Sequence, residues 1–266
     1  MDTALSRYFR HPRAMTSEDQ LRSRIAMACR VLGTLELTRA LRGHISARIP
    51  GTERVFIRAR GPAESGVRYT TEDEVIEIGL DGRPVSAVPK GLKAPSEVFI
   101  HTEIYRARPE VNAVLHMHPP TVVLFTITNL PLLPLYGAYD PQSLGITLND
   151  LANFDRSLLI NTAELGRELS AAIGKKRVCL MRGHGITTAG DSVEEASLVA
   201  LGVNELATMN YQARLLGNPR EISEDDRIAL APAVKRLSAG GKPGEPSESV
   251  ATEWRYYCRL TGERRD

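Results

Sequence analysis

The segment VNAVLHMHPP (residues 111–120) ends an apolar run with two histidines one residue apart, followed by two prolines. The apolar run predicts a buried strand, and the prolines predict that a new helix begins directly behind it. Because residues i and i+2 of a strand point to the same face, His116 and His118 project together. Two imidazoles at this spacing can share one metal ion, but an isolated His-x-His pair also fits two solvated side chains at a loop.

A third histidine lies in the segment RVCLMRGHGITTAG (residues 177–190), which predicts a strand, a Gly-His-Gly break and a second strand. Glycines at such a break let the backbone bend sharply, and the bend can bring His184 into a cleft. Structural zinc sites are closed by four protein ligands, whereas three imidazoles leave a coordination position open for a substrate. The three histidines together therefore indicate a catalytic metal site, although a Gly-His-Gly by itself is also compatible with a plain turn.

The segment APSEVFIHTEIYRARP (residues 94–109) predicts a helix with Ser96 as its cap and Glu97 in its first turn. A carboxylate beside a divalent cation can bind the ion or act as a general base. The alternative for Glu97 is an acidic residue that the helix dipole favours at this end. His101 lies one turn further along the same helical face, and we predict that it is a hydrogen-bonded partner or core residue rather than a ligand.

The composition excludes several classes of protein. Hydrophobic residues make up 42% and charged residues 25% of the 266 residues, which is ordinary for a globular domain. The net charge of +2 comes without a basic patch, so we expect no nucleic-acid partner. No apolar run approaches 18 residues and the N-terminus lacks a signal-peptide pattern, so we expect no membrane partner. The three scattered cysteines, Cys29, Cys179 and Cys258, predict free thiols in the cytoplasm.

The segments PSEVFIHTEIYRARPEVNAVLHMHPP and LMRGHGITTAGDSVEEA resemble the class II aldolase/adducin superfamily. The resemblance extends from the first predicted helix to about Gly217. It implies an α/β fold, a three-layer α/β/α single domain around a central, largely antiparallel sheet. Residues 1–266 would form this one domain. The Gly/Pro/Ser-rich stretch at about 238–250 predicts a flexible linker before a C-terminal segment.

The same resemblance implies the composition of the site. In the metal-dependent members, the His-x-His pair and the histidine of the Gly-His-Gly segment bind one divalent cation, so the implied ligands are His116, His118 and His184. The implied catalytic acid/base is Glu97. Ligand type alone does not separate Zn²⁺ from Mn²⁺, and Fe²⁺ is a less favoured third choice. Adducins keep the fold without the metal histidines, which disfavours a purely structural role here.

Members of this family form homotetramers with the active site at the subunit interface, and a tyrosine from the neighbouring subunit often donates a proton. Tyr136 falls near the matching place, with Tyr139 as its rival. A further catalytic aromatic residue often comes from the C-terminal segment, where the candidates are Trp254, Tyr256 and Tyr257. Interface packing is an equally good explanation for each of these aromatic residues.

The chain departs from the phosphate-binding pattern of the sugar-phosphate aldolases. His44 stands where asparagine is usual, Arg60 where serine is usual, and Pro95-Ser96 replaces a pair of serines. A guanidinium group suits a planar carboxylate, so Arg60 is a candidate carboxylate-binding residue, with Arg58 as a second candidate. The other candidates for binding the substrate are His44, Ser46 and Ser96.

The segments GHISAR, IHTEIYRARPEVNAV and VCLMRGHGIT are most similar to the branch that decarboxylates hydroxylated aromatic or pyridine carboxylates. The resemblance thus implies a metal-dependent carbon–carbon lyase acting on a small-molecule carboxylate. Aldol cleavage of a hydroxy-keto acid or sugar-type substrate is the first alternative. An iron(II)-dependent oxygenase on the same fold is the second, although such oxygenases more often use two histidines and a carboxylate.

Overall fold

The computed structural model describes residues 17–149, 151–237 and 242–262. Seven strands form one sheet in the order β3-β2-β1-β4-β7-β6-β5. The strands are β1 His44–Arg48, β2 Arg54–Arg58, β3 Val75–Gly79, β4 Ala113–Met117, β5 Leu151–Phe154, β6 Val178–Met181 and β7 Gly185–Gly190. Only β5 and β6 pair in parallel, and every other neighbouring pair is antiparallel. The predicted largely antiparallel sheet is confirmed.

Eight helices accompany the sheet in the described residues. They are α1 Ser17–Thr34, α2 Phe99–Ala107, α3 Pro120–Thr126, α4 Pro141–Asn149, α5 Ala163–Ile173, α6 Val193–Leu216, α7 Glu224–Leu237 and α8 Glu248–Arg259. Buried side chains of α2 and α5 pack on one face of the sheet, and those of α1, α3 and α6 pack on the other. The fold is therefore the predicted three-layer α/β/α arrangement.

Successive side chains of the two central strands, β1 and β4, point to opposite faces of the sheet, and each face has its own core. On β1, Ile45 and Ala47 face the core under α1 and α6, whereas His44 and Ser46 face the side of α2. Strand β4 pairs with β1 so that His44 lies opposite His116. One face of the sheet centre therefore carries polar side chains beside an apolar core, and they lie at the end where β4 runs into α3.

Helix α3 shows why the prolines behind the histidines matter. Its first residue is Pro120, and Pro119 is the N-cap with an extended backbone. Proline suits the first helical turn because backbone N–H groups there have no acceptor within the helix, so the N–H that proline lacks is not needed. The chain consequently turns away from the sheet directly after His118, as the sequence predicts.

No helix in the described ranges is long and apolar enough to cross a membrane. Cys29 and Cys179 are buried free thiols, and Cys258 is a half-buried free thiol. Residues 238–241 of the predicted linker lie outside the described residues, so its flexibility stays a prediction. Further along, Gly244 donates its backbone N–H to the carbonyl of Asp191, and Ser247 caps α8.

A buried ion pair joins β2 to the loop that follows it. The guanidinium of Arg58 is fully buried and donates to Glu64, whose side chain is only 4% exposed, at 2.6 Å. It also donates to the carbonyl oxygens of Leu41 and Gly43 and to the hydroxyl of Thr70. Arg58 thereby ties the segment before β1 to β2, which is a structural role rather than the substrate-binding role considered from the sequence.

Replacing Glu64 by glutamine is expected to lower the free energy of unfolding by about 3 kcal/mol, because it leaves the buried Arg58 charge uncompensated. Urea denaturation of the two proteins measures the change. The control is Glu168→Gln, which breaks an ion pair with Arg156 in which both side chains are more than a third exposed. That change is expected to cost no more than about 1 kcal/mol. Equal losses in the two variants would contradict the structural role of the Glu64 pair.

Candidate metal centre

The end of β4 places two of the predicted ligands side by side. All five residues of β4 are buried, including His116, and His118 follows directly after the strand. The Nε2 atoms of the two imidazoles lie 2.9 Å apart. The strand geometry therefore brings the His-x-His pair together as its spacing predicts.

The turn between β6 and β7 supplies the third imidazole. Strand β7 pairs with β4, and Met117 lies opposite Ile186, so His184 reaches the same end of the sheet as His118. Its Nε2 lies 3.2 Å from the Nε2 of His116. A Cβ atom on Gly185 would come within 2.2 Å of the Met117 carbonyl oxygen. The second glycine of the Gly-His-Gly segment is therefore needed for this close approach of two backbones.

The three imidazoles fit a metal tripod. Two nitrogens bound to one zinc ion at about 2.0–2.1 Å, with an angle of about 90–109° between them, lie about 2.9–3.4 Å apart. The two distances from the His116 Nε2 fall within that interval. Burial and the neighbouring histidines hold the pKa of His116 well below its usual range and lower the pKa of His118 to about 4. Both rings are thus neutral at pH 7, which is the form that binds metals.

Glu97 completes a group of four side chains whose ligand atoms lie within 4.8 Å of one another. Its Oε1 is 3.5 Å from the Nε2 of His184 and accepts the backbone N–H of Ile160 at 2.9 Å. Its Oε2 is 3.9 Å from the Nε2 of His116. Burial by itself would raise the pKa of Glu97. His184 and the Ile160 N–H together lower it by more than burial raises it, so the net pKa lies below the usual value.

The position of Glu97 in the chain corrects one prediction. Helix α2 begins at Phe99, and Val98, not Ser96, is its N-cap residue. Glu97 lies in the turn before the helix, where the N–H of Val98 donates to the Pro95 carbonyl. The turn directs the Glu97 side chain to the end of β4, whereas Ser96 beside it is exposed.

His44 and Ser46 lie behind the metal ligands. The His44 ring is buried, with its centroid 5.2 Å from that of His116. Its Nδ1 lies 2.6 Å from the Nε2 of His101. Ser46 is fully buried and contacts His101 and Tyr105, so its hydroxyl faces the core of the α2 side. His101 is a hydrogen-bonded core histidine in the described structure, as the sequence predicts.

Arg60 lies close enough to the histidine cluster for its charge to act on two of the rings. Its backbone pairs with Lys93, and its Nε donates to Glu64 Oε1 at 3.0 Å. Its charge contributes to lowering the pKa of both His44 and His118, although burial is the larger cause in each. Among the described residues, no acceptor bonds its Nη groups, and its side chain is 29% exposed. Glu64 was not predicted from the sequence; the only available signal was its i+4 spacing from Arg60.

The predicted tyrosines lie elsewhere in the subunit. Tyr136 is buried against the exposed Tyr139, with ring centroids 5.2 Å apart, and burial raises its pKa well above the usual range. Tyr139 and Tyr257 line a cavity of about 650 Å³, and none of the described residues around that cavity belongs to the histidine cluster. Trp254 is buried in the core, whereas Tyr256 is exposed. The structure of one subunit thus places none of these aromatic residues beside His116.

Comparisons with known proteins agree with this geometry. Residues 23–211 match the family described as the Class II Aldolase and Adducin N-terminal domain. The chain is 36% identical to a 3,4-dihydroxyphthalate decarboxylase of Arthrobacter keyseri, covering 88% of this chain and 91% of the relative. It is also 36% identical to a 3,4-dihydroxyphthalate decarboxylase of a Terrabacter species, covering 79% and 88%.

A solved structure shows the same fold at lower sequence identity. An aldolase II superfamily protein from Pseudomonas syringae superposes with a TM-score of 0.78 at 24% identity, covering 94% of each chain. The likeness over almost the whole of both chains shows that they share one fold.

Proposed function

Because this chain belongs to the class II aldolase and adducin family, we propose that it is a carboxy-lyase that removes CO2 from a hydroxylated aromatic carboxylate. The convergence of three imidazoles and one buried carboxylate at the end of β4 carries this proposal. Two relatives that are 36% identical over 88% and 79% of the chain are decarboxylases of a dihydroxylated aromatic dicarboxylate, which supports the reaction and the substrate class.

We infer that His116, His118 and His184 hold one divalent metal ion, with Zn²⁺ and Mn²⁺ as the first candidates. A bound ion supplies Lewis-acid stabilisation of the negative charge that develops on the ring oxygens. With three ring nitrogens as its ligands, the ion would keep a coordination position for the substrate. Fe²⁺ remains the less favoured choice, because iron oxygenases more often use two histidines and one carboxylate.

Glu97 is the proposed acid/base. It accepts the proton of a ring hydroxyl when the substrate binds, and it returns a proton to the ring carbon that loses CO2. Protonation of that carbon turns the deprotonated hydroxyl oxygen into a ring carbonyl. The bond between ring and carboxylate then breaks, and its electron pair restores the aromatic ring and returns the negative charge to that oxygen as CO2 leaves. The hydrogen bond from Ile160 holds one oxygen of Glu97, so the other is free to face the substrate.

Direct assay of CO2 release from 3,4-dihydroxyphthalate and related dihydroxybenzoates tests the proposed function. We expect CO2 from a substrate with a hydroxyl ortho or para to the departing carboxylate, because that oxygen takes up the charge. We expect none from the corresponding carboxylate without a ring hydroxyl, and none after chelation until a divalent metal is restored. Formation of an aldehyde or pyruvate from hydroxy-keto acids, with no CO2, would favour an aldolase instead; oxygen uptake would favour an oxygenase.

Arg60 is proposed to bind a carboxylate of the substrate, because its charge acts on His44 and His118 of the site and its side chain is partly exposed. Replacing Arg60 by alanine is expected to raise KM about 10–100-fold, the effect of one charge-assisted hydrogen bond, with a smaller change in kcat. Steady-state CO2 release measures both constants. The control is Arg83→Ala, because the Arg83 side chain is 87% exposed and, among the described residues, has only a 4.0 Å ion pair with Asp81. An unchanged KM in the Arg60 variant would contradict this role.

The assembly and compartment are part of the same proposal. We infer a cytoplasmic homotetramer in which a neighbouring subunit brings Tyr136 or Tyr139 to the histidine cluster as a proton donor. The exposed Tyr139 and the cavity it lines support a contact at this surface. Light scattering that gives four times the 29.2 kDa chain mass would agree with this assembly. A fully active monomer would exclude it.

A further inference from the structure

A chain of four buried side chains runs from α2 to the histidine cluster. The hydroxyl of Tyr105 lies 2.9 Å from Ser46 Oγ, and Ser46 Oγ lies 2.7 Å from His101 Nδ1. The chain ends where His101 Nε2 lies 2.6 Å from His44 Nδ1. None of the four residues is more than 2% exposed. Their protons must therefore be distributed among these atoms and the nearby backbone.

The distances determine which way the protons point. Ser46 Oγ is the only acceptor for the Tyr105 hydroxyl among the described residues, so Tyr105 donates to Ser46. The Ser46 proton has two possible acceptors, the Val114 carbonyl at 3.4 Å and His101 Nδ1 at 2.7 Å. Bonds from a hydroxyl are normally 2.5–3.0 Å long, so the proton goes to His101.

Hydrogen-bond donation runs in the same direction through the two imidazoles, from His101 to His44. Burial lowers the pKa of His101 to about 3, so its ring is neutral and carries one proton. Because Nδ1 accepts from Ser46, that proton is on Nε2 and is donated to His44 Nδ1. A ring nitrogen that accepts a hydrogen bond carries no proton, so His44 is bare at Nδ1. Its single proton must then be on Nε2, which bonds to no described residue.

We propose that Tyr105, Ser46 and His101 are positioning residues that fix His44 as an Nε2–H hydrogen-bond donor to an oxygen of the substrate, which rests on the proposed function. An imidazole that carries its proton on Nε2 cannot bind a metal through that nitrogen. His44 is therefore a fourth histidine of the site without being a fourth ligand. Its donor stabilises the negative charge of the substrate as CO2 departs.

The tautomer of His44 can be measured directly in the wild-type protein. The full chain is labelled with ¹⁵N-histidine and loaded with Zn²⁺, and long-range ¹H–¹⁵N spectra identify the protonated nitrogen of each ring. The variants His44→Gln and His101→Gln assign the two signals by their loss. We expect protons on Nε2 of both rings. A proton on Nδ1 of His44 would overturn the inference, whatever the activity of the enzyme.

The variant Ser46→Ala tests the direction of the chain. Without the serine proton, His101 is expected to carry its own proton on Nδ1 and to donate it to the backbone of Val114, with which it already interacts. His44 must then donate through Nδ1 and face the substrate with a bare Nε2. We expect this switch in the spectrum together with a fall in kcat on the order of tenfold, larger than the change in KM. An unchanged His44 tautomer in a folded Ser46→Ala protein would contradict the positioning role.

The matched control is Thr102→Val, which has nearly the same shape. The Thr102 hydroxyl is buried on α2 next to His101 but has no hydrogen-bond partner among the described residues. Both the spectrum and kcat are expected to stay as in the wild type. If no hydroxylated aromatic carboxylate releases CO2 while His44 carries its proton on Nε2, the proposed function fails and the direction of the hydrogen bonds is supported.

Discussion

Replacing His116 by alanine is expected to remove bound metal and to reduce CO2 release more than about 100-fold. Removing a partner that only orients a ligand already costs about 10–100-fold in metal affinity or activity, and the loss of a ligand must cost more. His116 is the central member of the tripod because its Nε2 lies close to those of both His118 and His184. Metal content after dialysis and the rate of CO2 release measure the two effects.

A graded control separates loss of the ligand from a general disturbance of β4. His116 Nδ1 lies 3.2 Å from the hydroxyl of Thr187, its neighbour across the sheet. Thr187→Val keeps the shape and the ligand but removes the partner that orients the ring, so the expected loss is about 10–100-fold. A folded His116→Ala protein that retains one metal ion per chain would show that these histidines do not form the site.

The cluster of three histidines was the most predictable part of the molecule, because it depends on short-range rules. The period of two along a strand places His116 and His118 on one side, and glycine on each side of His184 marks a sharp turn. Fold and family followed from the same segments, and both are confirmed. The roles of individual residues outside the histidine cluster were harder to predict from the sequence.

The hydrogen-bonded chain behind the cluster depends on strand register and could not be predicted from the sequence. Ser46 was considered for substrate binding, but the pairing of β1 with β4 turns its hydroxyl toward His101 and Tyr105. Glu97 was placed in the first turn of α2, but the helix begins two residues later, after a turn at Pro95. In each case, the side chain's role is set by contacts more than 40 residues distant in the chain, such as that of Glu97 with Ile160.

Sequence patterns also missed three elements. No helix was assigned to α7, which contains Pro232 within its span, and none to α4. Strand β5 is only four residues long and pairs in parallel with β6 at the edge of the sheet. A proline inside a helix contradicts the local rules that identify regular structure, and a four-residue strand at the sheet edge gives only a weak local pattern.

Replacing Glu97 by glutamine is expected to lower kcat about 10²–10⁴-fold while the metal stays bound. The amide oxygen can still accept the N–H of Ile160, so the side chain keeps its position next to the histidines. It can no longer accept a proton from the substrate or return one to the ring carbon. The three imidazoles are unchanged and continue to hold the ion.

Metal analysis beside the kinetic assay decides between the two roles that a carboxylate at this position can have. Retained metal with a large loss of kcat identifies Glu97 as the acid/base, whereas loss of the metal identifies it as a fourth ligand. The control is Glu103→Gln on α2, because this carboxylate is also buried but faces Arg106 at 3.6 Å instead of the histidines. Near-normal activity in both glutamine variants would exclude proton transfer by Glu97, and the interface tyrosine would then be the remaining candidate for the proton donor.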